Sequence, residues 1–142
     1  MTSTSITPET FNTAIVSTCR TTLGDSLRSV VYFTREEFEV LYVRQDLYGD
    51  DEEMRTVKAD LVESERTGFG PQETYNRKED PTDDGPDFGE YEFTLRVFSG
   101  GFVGRVVAGD HGVIVTTDEL DLSEFEEMEV AIRRMLEDTG DE

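Results

Sequence analysis

The stretch YEFTLRVFSGGFVGRVVAGDHGVIV, residues 91–115, decides the fold class. Tyr91, Phe93, Leu95 and Val97 alternate with Glu92, Thr94 and Arg96, the period of two that a half-buried strand shows. Ser99-Gly100-Gly101 then turns the chain, Phe102 to Ala108 follows, Gly109-Asp110-His111-Gly112 turns it again, and Val113-Ile114-Val115 closes the set. Strands joined consecutively by tight turns make an antiparallel meander.

Upstream, Ser29-Val30-Val31-Tyr32-Phe33 and Glu37-Phe38-Glu39-Val40-Leu41-Tyr42-Val43 are rich in β-branched and aromatic residues and flank a short polar turn, which predicts a hairpin. Before it, Thr7-Pro8-Glu9 has the form of a cap with proline at the first helical position. Phe11, Ala14, Ile15, Cys19 and Leu23 then recur at helical spacing as far as Gly24. A second helix is expected from Asp50, with Asp51, Glu52 and Glu53 suited to its N-terminus and Met54, Val57, Leu61 and Val62 as its apolar face. Ser123 and Glu126 have capping-box spacing ahead of a third helix that carries Phe125, Met128, Ile132, Met135 and Leu136 on one face. Residues 69–87 hold prolines and acids with no period and read as a long acidic loop. The expected organisation is a flexible N-terminus over 1–6, a single domain over 7–137, and an acidic tail over 138–142.

The predicted order is α-β-β-α-β-β-β-α. Val30 to Phe33 and Leu41 to Val43 are apolar on both faces, so helices should cover both sides of the sheet. This gives an α+β domain: one five-stranded antiparallel sheet, with the middle helix on one face and the terminal helices on the other. That element order resembles the roadblock, profilin and longin-like folds, and also a PAS sensor core with flanking helices. The segment from Leu27 to Leu47 is similar to a family of small acidic haloarchaeal proteins of unassigned activity, a resemblance that implies a setting and no catalytic residue.

Charge bears on that setting. Asp and Glu outnumber Lys and Arg 33 to 13, for net −20 over 142 residues, and Lys58 and Lys78 are the only lysines. Such a field repels itself in dilute buffer, but at about 1 M salt the Debye length falls to about 3 Å. The acids are spread along the chain, which reads as adaptation to a salty cytoplasm. A cytoplasmic location also fits the single Cys19, the absence of a basic and apolar leader, and the lack of any apolar run of membrane-spanning length. The arginines are scattered, with adjacent bases at Arg77-Lys78 and Arg133-Arg134 alone, so neither nucleic acid nor membrane is an expected partner.

Catalytic and metal chemistry find little support. His111 could act as a base beside Asp110 but is better read as a turn residue. Cys19 belongs to an apolar stripe, and lies without a basic partner on its face. Asp80, Asp83, Asp84, Gly85 and Asp87 suggest a cation loop, yet with Gly85 in sixth place the twelfth is Tyr91 instead of a bidentate acid. Gly100, Gly101 and Gly104 read as turn and bulge glycines, since no helix or Lys-Ser/Thr pair follows them. No catalytic residue, cofactor or metal ligand is therefore assigned, and the chain is expected to be no enzyme. The expectation is a non-catalytic interaction or regulatory module that joins a protein partner or forms a homodimer, with Tyr32, Phe33, Tyr42 and Phe98 as interface residues. The alternative is a PAS-like sensor holding a small molecule between the middle helix and the sheet, beneath residues 69–87.

Overall fold

The computed structural model describes residues 7–47, 49–69 and 91–140. The elements are α1 (Glu9–Leu23), a 3-10 turn (Gly24–Ser26), β1 (Leu27–Thr34), β2 (Phe38–Val43), α2 (Asp51–Glu65), a second 3-10 turn (Arg66–Gly68), β3 (Thr94–Phe98), β4 (Gly101–Ala108), β5 (His111–Thr117) and α3 (Leu122–Gly140). The five strands form one sheet in the order β2-β1-β5-β4-β3, and every neighbouring pair is antiparallel. This is the α+β architecture expected, with Tyr91 to Phe93 preceding the third strand instead of opening it.

Local chemistry accounts for the boundaries. Asp50 caps α2 by accepting the Glu53 N–H at 2.7 Å. At α3 the cap is Asp121, whose carboxylate accepts the Glu124 N–H at 3.0 Å, so the capping box expected at Ser123 falls inside the helix. At α1 the cap position is Pro8, which offers no side-chain bond; the Thr7 hydroxyl instead bonds the Asn12 side chain. Gly24 ends α1 at φ 56°, a left-handed conformation suited to glycine.

Two apolar layers sandwich the sheet. On one face, Phe11, Ile15 and Cys19 of α1 and Phe125, Met128, Ile132 and Leu136 of α3 pack on Leu27, Val30, Tyr32, Val106, Val113 and Val115. On the other, Val62 of α2 and Phe69 pack on Val31, Phe33, Val107 and Ile114. Each helix sits on its expected side. A Cβ at Gly104 would fall 2.4 Å from Phe125 Cζ, so this glycine is a seat for α3 and not a turn or bulge.

The sheet face under α2 departs from expectation. Val57 is 43% exposed, whereas Lys58 and Glu65 are each 3% exposed. Phe69, expected to begin the loop, is buried against Phe33 with ring centroids 5.5 Å apart. Ala14 of α1 is exposed. The rest of the expected loop, including the acids from Asp80 to Asp87, lies outside the described residues, as do residues 1–6.

Candidate interaction surface

Of the four aromatics expected at an interface, two are in the core. Phe33 is 0% and Tyr32 5% exposed, because the interior strand β1 has a neighbour on each side and helices over both faces. Tyr32 packs edge-on to Phe11, and its hydroxyl meets His111 Nδ1 at 2.8 Å. Neither ring can reach a partner. Tyr42, on edge strand β2, is half-buried beneath Arg20, whose Cζ lies 5.4 Å from the ring centroid. Phe98 is 56% exposed at the end of β3.

Phe98 belongs to a continuous feature. β3 is an edge strand, and Val97 beside Phe98 is 70% exposed. It pairs with β4 without a register shift. The opposite edge, β2, carries an irregularity against β1 between Val30 and Val31, a bulge that twists an edge away from further pairing. β3 is thus the regular, apolar edge.

Buried charges fix β3 to α2. Arg105 Nη1 donates to Glu65 Oε1 at 2.7 Å and Nη2 to Thr94 Oγ1 at 2.8 Å. Arg96 Nε donates to Glu65 Oε2 at 2.8 Å. One carboxylate on α2 therefore orients one arginine in the core and one on the edge strand. These pairings were missed in the sequence, where Glu65 and Arg105 lie 40 residues apart and charged residues default to the surface.

Between α2 and the sheet, where a sensor would hold its ligand, Val31, Phe33, Val62, Phe69 and Ile114 form a buried apolar cluster. At one end Lys58 Nζ donates to Ser29 Oγ at 2.7 Å, and Ser29 Oγ meets Thr116 Oγ1 at 2.6 Å. Burial pulls the Lys58 ammonium down to about 8, assisted by nearby Arg28. The opposite face has a groove of about 620 Å³ lined by Asn12, Thr13, Val16, Ser17, Arg20, Thr21 and Leu41.

His111 and Cys19 are both buried. His111 is not a turn residue but the first residue of β5, 8% exposed, with Nε2 at 2.7 Å from the Leu136 carbonyl. Cys19 is buried, which pushes its thiol up to about 12. Among the described residues no three His, Cys, Asp or Glu side chains gather as metal ligands, and no helix is long and apolar enough to cross a membrane.

A family model described as "Domain of unknown function (DUF7522)" matches residues 13–137. No curated protein is detectably similar to the chain. Among solved structures, the gliding protein MglB from Thermus thermophilus superposes with a TM-score of 0.51 at 14% identity, covering 97% of this chain and 99% of that one. The likeness shows a roadblock/profilin-like fold.

Proposed function

The chain belongs to the DUF7522 family, and from that premise we propose that it is a non-catalytic interaction module that pairs with a second copy of itself through the β3 edge. The observation that carries this reading is the exposure of Val97 and Phe98 on a regular edge strand. Burying an apolar side chain of this size contributes about 1.5–3 kcal/mol, and strand addition satisfies the edge's open backbone groups. Pairing one β3 with another joins two five-stranded sheets into one. Arg96, tied back to Glu65, keeps its charge from standing free at the seam. The setting proposed is a cytoplasm of molar salt, in which net −20 does not oppose self-association.

The test is solution mass by light scattering in about 2 M KCl. The wild-type chain should be dimeric at high micromolar concentration, and Val97→Glu should weaken the dimer by at least about 10-fold. Leu122→Glu, at a residue exposed elsewhere on α3, should leave it intact. A strictly monomeric wild type, or a dimer indifferent to Val97→Glu, overturns the reading.

A further inference from the structure

We infer that the groove between α1 and β2 binds an extended, carboxylate-bearing segment of another protein, with Arg20 receiving the carboxylate. β2 is at the opposite edge of the sheet from β3, so self-association through β3 does not use this surface.

The groove is framed by two struts. At one end Asn12 Nδ2 donates to Glu39 Oε2 at 3.3 Å. At the other, Arg20 lies over Tyr42. Asn12, Val16 and Arg20 follow one another at i, i+4 and i+8, and so do Thr13, Ser17 and Thr21, which sets two parallel ridges along α1. The first presents an amide, an isopropyl group and a guanidinium; the second presents three hydroxyls. Leu41 of β2 completes the lining. Eight residues of helix separate the struts by about 12 Å, the span of three or four extended residues at about 3.3 Å each.

Charge decides the occupant. Acids outnumber bases 33 to 13 in this chain, yet among the described residues Arg20 makes no ion pair and is held by an aromatic ring. An arginine fork on a ring face is preorganised for a carboxylate. Thr13, Ser17, Arg20 and Thr21 are exposed, so a small molecule would stay half in water where ligand sites normally bury most of their guest. A chain segment offers backbone amides and carbonyls to the row of hydroxyls, an apolar side chain to Val16 and Leu41, and a Glu or Asp to Arg20. Molar salt screens the repulsion between this acidic chain and an acidic partner but spares the contact pair.

The experiment is a titration of the full ¹⁵N-labelled chain in about 2 M KCl with the probe acetyl-Thr-Val-Glu-Val-Thr-amide, followed by two-dimensional NMR to about 10 mM. The proposal expects saturable shifts at Ser17, Arg20 and Leu41, with about 10-fold weaker binding for the probe with Gln in place of Glu and a similar loss in Arg20→Gln. The Arg20→Gln spectrum itself shows that the variant is folded, and Val97→Glu should bind the probe as the wild type does. No shifts, shifts elsewhere, equal binding of the Gln probe, or acetate binding as tightly as the peptide would each overturn it.

Discussion

A carbonyl oxygen can only accept, so the contact from His111 Nε2 to the Leu136 carbonyl places the proton on Nε2. Nδ1 is then left to accept from the Tyr32 hydroxyl. One neutral imidazole thereby joins β5, β1 and α3. Burial holds His111 below its ordinary value, against weaker opposing effects of the Leu136 carbonyl and Asp110. With the folded value depressed, the unfolded chain binds the extra proton first, so this contribution is whole above about pH 6.5 and is lost as pH falls through the folded value. Urea melts of wild type and His111→Leu between pH 7.5 and 5 should therefore converge toward acid, from a wild-type advantage of about 1–3 kcal/mol at neutral pH. Parallel curves would show that His111 takes up its proton alike in the folded and the unfolded chain. Lys58 obeys the same rule in the alkaline range. Its folded value is about 8 against an ordinary 10.5, so the unfolded chain holds more protons between those limits and stability rises with pH across them. The gain is on the order of 3 kcal/mol. It should be absent in Lys58→Met, and identical slopes in the two proteins would remove the burial of charge as its cause.

At the scale of elements, α2 is held as much by polar contacts as by apolar ones. Its fully buried apolar residue is Val62, while Lys58 and Glu65 carry the contacts at either end. Breaking a buried ion pair from one side leaves the other charge stranded, at a cost of about 3–5 kcal/mol. Glu65→Gln should cost about that much in chemical denaturation, and a double-mutant cycle with Arg105→Met should show strong coupling. Val57→Ala, on the exposed side of the same helix, should change stability by less than about 0.5 kcal/mol. An additive cycle would mean that α2 is seated by packing alone. The asymmetry also marks where sequence reading succeeds. Tight turns between apolar runs placed the meander, helical spacing placed the apolar stripes of α1 and α3, and Asp50 and Gly24 announce their boundaries through backbone chemistry. Glu65, Lys58 and His111 were illegible because the partners that permit their burial, Arg105, Ser29 and Tyr32, come from distant strands. Tyr32 and Phe33 misled for a related reason: aromatic content marks cores and interfaces alike, and only strand order separates the interior β1 from the edge strand that bears Phe98. The ridges of the α1 groove do repeat visibly in sequence, but their meaning depends on β2 lying opposite.

For the whole molecule, the governing quantity is net −20, carried by a domain whose helices α2 and α3 expose mainly acids. Folding concentrates that charge, so the compact state has more repulsion to relieve than the unfolded chain. Raising KCl from about 0.1 M to 1 M shortens the Debye length from about 10 Å to 3 Å, which removes interactions between acids on neighbouring turns while sparing contact pairs such as Arg105 with Glu65 at 2.7 Å. The thermal midpoint should rise by about 10 °C or more across that range, corresponding to about 3 kcal/mol for a domain of this size. Salt also strengthens apolar burial, and a charge-reduced variant separates the two effects. Asp60→Asn, Glu126→Gln, Glu127→Gln and Glu137→Gln are all at exposed positions. Together they should raise the midpoint in low salt and flatten its climb, whereas a purely hydrophobic effect would leave the slope unchanged. If wild type melts at the same temperature at both salt concentrations, the acidic surface is not an adaptation to salt. The self-association proposed for β3 would then have to overcome the full repulsion between two such chains.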